Sequence, residues 1–306
     1  VTSAAYARYQ AFKKTQPRTP RLTRTTVKAR GIPFAVFTSP AVGDAPPLVC
    51  INGGMIYSHA LLWPALAPLA QDRQLILYDQ RGRGATPPAP GARSSKVEYD
   101  AGDVVALREA LGIARWDVLG HSWGGGIAML AAARDPVGVR RLVLIDSVGA
   151  TSDWVANLHP DAVARLDGAA RETLAALDPV MLHAVEPAIH TEYSRAIYPA
   201  YFHDRELARL FSPPVASSET GSAVIASQRR DGYDWRDAVR TIQASTLVLH
   251  GLDDVLPARL AQETAALIPN AELALIADAG HMPFWEQPEA TFDAVRAFLA
   301  RADRGR

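Results

Sequence analysis

The chain has 306 residues, 48% of them hydrophobic, and its 32 basic and 32 acidic side chains cancel. That is enough apolar material for one large α/β domain with an insertion, and the balanced charge supplies no field to steer it to nucleic acid or an anionic membrane. No apolar run can span a bilayer; the lone cysteine, Cys50 in Leu48-Val49-Cys50-Ile51, permits no internal disulfide, reads as a buried strand residue and fits a reducing, cytoplasmic setting.

Before Asp44 there is no acidic residue, while Arg8, Lys13, Lys14, Arg18, Arg21, Arg24, Lys28 and Arg30 crowd the same stretch. An acid-poor, Arg-rich segment is one composition of an organelle-targeting peptide. The spacing of Tyr6, Tyr9 and Phe12 predicts instead a short helix lying on the domain. Thr25-Thr26-Val27 and Phe34-Ala35-Val36-Phe37, split by Arg30-Gly31-Ile32-Pro33, predict an antiparallel hairpin.

Leu48 to Ile51 reads as a fully buried strand, followed by the turn Asn52-Gly53-Gly54. A helix is expected from about Ala60 to Ala70, a strand from Gln74 to Tyr78, then the loop Asp79-Gln80-Arg81-Gly82-Arg83-Gly84. Ser95-x-x-Glu98 has the form of a capping box, opening a helix on which Val104, Leu107 and Leu111 share a face. Leu142 to Ile145 is a further strand ending at Asp146. Strands alternating with helices, without period-2 polarity, predict a parallel sheet covered on both faces.

Near Ser147 the alternation stops. Residues 147–240 show helical patches broken by Pro179, Pro187, Pro199, Pro213 and Pro214, the pattern of a helical lid inserted into a core made of 1–146 and 241–306. The sheet pattern resumes at Thr246-Leu247-Val248-Leu249-His250-Gly251. A helix from Ala258 to Leu267, a strand from Glu272 to Ile276 and a closing helix from Pro288 follow.

The chemistry centres on Trp116 to Gly126. An apolar run (Val118, Leu119) leads into Gly120-His121-Ser122-Trp123-Gly124, and an Ala-rich helical segment follows. In a tight strand-to-helix turn the apical residue is strained, and side chains two positions away would collide across it, so glycines flank the serine. The turn lifts the Ser122 hydroxyl clear of the sheet and aims a helix N-terminus at it. The bland role for Ser122 is a helix N-cap. His121, beside the apex, points away from it and is read as support.

A serine nucleophile needs a base oriented by a carboxylate, both from loops after later strands. His281, in Asp278-Ala279-Gly280-His281-Met282-Pro283, follows the last strand and precedes the last helix; none of the other seven histidines has this placement. The acid is Asp254 or Asp253. Counting from Gly251 favours Asp254, counting back from Pro257 favours Asp253, and the strand end is the firmer anchor; the other aspartate is expected to cap the next helix. An oxyanion hole is expected from the amides of Trp123 and Gly54, with Met55 as the alternative to Gly54.

These parts together resemble the α/β-hydrolase superfamily over Thr25 to Ala300, which implies a mostly parallel eight-stranded sheet flanked by helices, with the inserted lid. Three tracts resemble the prolyl aminopeptidase (proline iminopeptidase, family S33) branch: Asn52-Gly53-Gly54 with Ser58-His59, Tyr78-Asp79-Gln80-Arg81-Gly82-Arg83-Gly84, and Gly120-His121-Ser122-Trp123-Gly124-Gly125. The chain departs from that branch where Asn52 replaces a histidine and Met55-Ile56 replace Pro-Gly. The branch also implies lid glutamates facing a free α-amine, for which Glu186, Glu192, Glu206 and Glu219 are the candidates.

The expected enzyme is a serine hydrolase working through an acyl-enzyme, with a small-molecule or short-peptide substrate. It is an aminopeptidase, or an esterase, lactonase or amidase on a small apolar substrate met by Trp63, Trp123, Phe284 and Trp285, or an acyl-transfer or cyclising enzyme on the same scaffold. No His/Cys/Asp group stands at metal-ligand spacing, so no metal and no cofactor is expected.

Overall fold

The computed structural model describes residues 3–89, 96–181, 186–211 and 213–302. Its strands are β1 (Thr23–Ala29), β2 (Ile32–Thr38), β3 (Leu48–Ile51), β4 (Leu75–Tyr78), β5 (Trp116–His121), β6 (Val139–Ile145), β7 (Ser245–Gly251) and β8 (Ala271–Ile276). They form one sheet in the order β1-β2-β4-β3-β5-β6-β7-β8. The β1–β2 and β2–β4 pairs are antiparallel and every other pair is parallel. Every residue of β3, β4 and β5 is buried, which is why these strands lack the period-2 polarity of half-exposed ones.

Helices α1 (Ala4–Thr15), α2 (Val97–Ala110) and α3 (Trp123–Arg134) precede β6. Between β6 and β7 lie α4 (Val155–Ala164), α5 (Gly168–Met181), α6 (Pro187–Ile197), α7 (Arg205–Arg209), α8 (Glu219–Asp231) and α9 (Arg236–Arg240). The chain finishes with α10 (Arg259–Leu267), α11 (Pro283–Glu286) and α12 (Pro288–Leu299). The opening helix forms as expected and lies on the domain through its aromatic stripe: Tyr9 stacks on Trp285 at 5.7 Å and Phe12 on Phe292 at 5.6 Å between ring centroids.

One expectation changes. The helix expected over Ala60 to Ala70 is two short 3-10 segments, His59–Leu61 and Ala67–Gln71. Pro64 and Pro68 lack the N–H that a continuous α-helix requires. At α2 the capping residue is Lys96, with no side-chain cap bond; Ser95 of the proposed capping box lies outside the described residues.

The fold positions the site by ending strands at one edge. The carboxyl ends of β3, β5, β7 and β8 lead into the segments that carry Gly54, Ser122, Asp254 and His281. No helix among the described residues is long and apolar enough to cross a membrane.

Candidate active site

Ser122 sits between β5 and α3 at φ 56°, ψ −125°, a left-handed conformation that a non-glycine residue holds only when its surroundings enforce it. The flanking glycines have the steric role expected of them. A Cβ on Gly120 would collide with the carbonyl oxygen of Gly124, and one on Gly124 with that of Ile51. Ser122 makes no cap bond to α3, so its hydroxyl is not spent on the helix.

His281 is buried, and its Nδ1 lies 2.8 Å from Asp254 Oδ2. A carboxylate only accepts, so Nδ1 carries the proton and Nε2 keeps its lone pair. The His281 main chain is anchored at both polar groups. Its N–H donates to the Tyr201 carbonyl at 2.7 Å, and its carbonyl accepts from His121 Nε2 at 2.9 Å. His121 is held neutral, its pKa lowered to about 3 by burial and then by the neighbouring His281. It is a support for the histidine loop, as its place beside the apex suggested.

Turn geometry sends the two aspartates in different directions. Asp254 N donates to Gly251 O at 3.2 Å, folding that residue inward to full burial beside the imidazole. Asp253 turns outward to His203 Nδ1 at 3.0 Å and does not cap α10, whose first turn has no side-chain cap. Burial alone would raise the Asp254 carboxyl. The facing His281 and His250 imidazoles and the Leu256 N–H outweigh it and hold the group below its ordinary value.

Behind this pair the fold gathers residues that sequence spacing keeps apart. Asp146, His250 and Asp254 form a fully buried group whose ligand-type atoms lie within 4.8 Å of one another. Asp146 holds a left-handed φ of 44° and accepts from Gly251 N at 2.8 Å. Burial, and then the charge of Asp254, push its carboxyl well above the usual range, because two adjacent carboxylates cannot both ionise away from water. A second, exposed trio, His203, Asp253 and Asp278, lies at the surface.

Gly54 adopts φ +73° and Met55 φ 49°. Among the described residues no group accepts a hydrogen bond from the Gly54 or Trp123 amide, and both residues line the cavity that Ser122 and His281 also line. The Asp79–Gly84 tract secures this loop from below. Arg83 Nε donates to Met55 O at 2.7 Å and Gln80 Nε2 to Asn52 O at 2.8 Å. Asn52, standing where the resembled branch has histidine, donates to Tyr57 O at 3.1 Å.

The cavity encloses about 260 Å³, near the small end of ligand sites. Among the described residues no hydrogen bond joins Ser122 to His281, an open spacing common before substrate binds. Of the four aromatics named for the substrate, Trp123 lines the cavity. Phe284 and Trp63 pack into the core cluster, and Trp285 packs between Tyr9 and Phe211. The missed lining residues include Tyr57, Trp154, Tyr193, Tyr198 and Tyr201. Tyrosines at uneven spacing in proline-broken helices gave no sequence signal. The four glutamates named as partners for an α-amine, Glu186, Glu192, Glu206 and Glu219, are exposed, and no described carboxylate lines the cavity.

Residues 46–288 match the family described as alpha/beta hydrolase fold. The sequence is 32% identical over 243 residues to 2-hydroxymuconate semialdehyde hydrolase of Pseudomonas putida, covering 76% of this chain and 79% of that one. It is 28% identical to the proline iminopeptidase of Clostridium botulinum, covering 85% and 92%. Among solved structures, the enol-lactonase of Burkholderia xenovorans LB400 superposes with a TM-score of 0.64 at 25% identity, over 90% of this chain and all of that one. The chain belongs to the α/β-hydrolase family.

Proposed function

We propose that this protein is a serine hydrolase acting on a small, largely apolar ester or lactone, with α4 to α8 as a lid over the sheet edge. The observation that carries the reading is the buried His281–Asp254 hydrogen bond opening on the same cavity as the strained Ser122. Ser122 Oγ attacks the substrate carbonyl while His281 Nε2 takes its proton. Asp254 fixes the imidazole tautomer and balances the imidazolium that forms. The Gly54 and Trp123 amides, free of protein acceptors, hold the oxyanion; one such donor contributes roughly 3–4 kcal/mol in the transition state. His281 then protonates the leaving group, and water repeats the sequence on the acyl-enzyme.

An ester or lactone fits better than an N-terminal prolyl peptide. A free α-amine is charged and requires a counter-charge once desolvated, and no described residue of the wall offers one. The lid reading draws on the Tyr201 carbonyl accepting from His281 N–H and on the 2.5 Å contact of the Tyr57 and Ser194 hydroxyls in the cavity wall. The test is a panel of chromogenic esters, lactones and aminoacyl amides that includes a prolyl amide. Turnover of esters or lactones without the prolyl amide is expected; turnover confined to the prolyl amide would overturn the substrate assignment.

A further inference from the structure

Helix α8 gives the cavity wall a polar sector away from the loops that carry Ser122 and His281. Helix α8 lends it Ile225, Gln228 and Arg229, whose i, i+3, i+4 spacing sets them on one face. Gln228 is 8% exposed, its Oε1 has no partner, and among the described residues its amide makes no hydrogen bond. Arg229 lies at the exposed rim, and among the described residues no carboxylate pairs with it. Its neighbour Arg230, by contrast, is forked onto Asp231.

The acid whose charge reaches the same Tyr193 hydroxyl as Arg229 does is Asp178 on α5. Its carboxylate is engaged by His159 Nε2 at 3.0 Å, and His159 Nδ1 meets the Tyr193 hydroxyl at 3.2 Å. The amino half of α8 is seated against the loop carrying Gly54: a Cβ on Gly221 would collide with Met55 O. This face therefore stands in a fixed relation to Ser122. Among the described residues this is a cation without a paired carboxylate, beside a buried amide without a partner, in a cavity that no carboxylate lines, an arrangement that an anion completes.

We propose that α8 forms a subsite for a carboxylate on the substrate, Arg229 supplying the charge and the Gln228 amide one N–H. The preferred substrate is then an ester or lactone whose body bears a second, ionised acid group. This rests on the serine-hydrolase reading and adds the recognition element to it.

The test uses p-nitrophenyl hemiesters of linear dicarboxylic acids, succinate through suberate, each compared with the neutral ester of equal chain length and with an ω-amino ester. One hemiester length is expected to exceed its neutral counterpart in kcat/KM. The ratio should fall roughly 10- to 100-fold in Arg229→Gln, the size of one charge-assisted hydrogen bond. Arg229→Lys should restore part of the ratio, and Gln228→Leu should lower it less. A ratio unchanged in Arg229→Gln, or a wild-type preference for the ω-amino ester, overturns the subsite. Ser122→Ala is measured alongside: retained turnover overturns the serine reading itself, whereas an unchanged ratio with Ser122→Ala inactive overturns the subsite alone.

Discussion

Two clusters of buried charge lie behind the catalytic loops, built on opposite principles. Under the oxyanion loop, Arg81 forks onto Asp103 at 2.5 and 2.6 Å and Arg83 onto Asp100 at 3.1 and 3.2 Å, with Arg30 reaching Asp103 at 3.1 Å. Every carboxylate there faces a permanent cation. Behind His281, Asp146 and Asp254 share a site with the imidazole of His250, and both Asp146 Oδ2 and His250 Nδ1 lack hydrogen-bond partners. The first cluster pairs each carboxylate with a guanidinium and holds the Met55 carbonyl in place. The second is left short of positive charge, and its two carboxyls are pushed in opposite directions from the ordinary carboxylate value, Asp146 upward and Asp254 downward. Buried charge alone is therefore a weak pointer to a functional site; an unbalanced group set behind a cavity-lining imidazole is a stronger one.

The sharpest way to break this comparison is at the two adjacent aspartates. Asp254→Asn should lower kcat on an ester substrate by roughly 10⁴-fold, through the wrong imidazole tautomer. Asp253→Asn, altering only an exposed contact with His203, should leave it near wild type. Comparable losses in the two variants would mean that the turn after β7 has been misread.

Next in size is the neutralised cluster. Arg83→Met leaves Asp100 buried without its forked partner, and breaking such a pair costs about 3–5 kcal/mol of stability. Denaturant unfolding should report that loss. Since Met55 O also loses its donor, kcat should fall more than KM changes. Unfolding at the wild-type midpoint would show that the cluster is not the anchor described.

The smallest effect concerns Glu286, which ties the histidine loop to the start of α7 by accepting from Gly280 N and Asp204 N, each at 2.7 Å. Burial raises its pKa to about 7, against the pull of those N–H groups. A raised folded-state pKa stabilises the protonated form. That contribution is complete below the ordinary value of 4.5 and is lost as pH rises through about 7. Thermal stability should therefore decline across that window, and Glu286→Gln should flatten the slope even where it lowers stability overall. An equal slope in the variant would show that another group sets it.

What was legible in the sequence follows from range. The Ser122 turn is specified by neighbours two residues away, so Gly120 and Gly124 announce it through sterics alone. The same holds for the β1–β2 hairpin. Which aspartate faces His281 was harder to read, because a single residue of turn depends on how β7 ends against β8, where Leu252 N bonds to Ile276 O and Asp253 N to Ala279 O. Such pairing is a tertiary fact. The Asp146–His250–Asp254 group was invisible for the same reason, since parallel pairing of β6 with β7 brings together residues more than a hundred positions apart. The cavity wall lay furthest out of reach: its tyrosines converge from the loop after β3 and from the helices between β6 and β7. The misplaced helix at Ala60 to Ala70 was a different kind of error, an apolar pattern allowed to override Pro64 and Pro68.

The most direct measurement is covalent labelling of the native protein with a fluorophosphonate, read by peptide mass and paired with ester turnover. The account predicts one adduct, on Ser122, formed far more slowly in His281→Ala, and no turnover in a folded Ser122→Ala variant. Full turnover by Ser122→Ala, or an adduct on another residue with Ser122 unmodified, would contradict it.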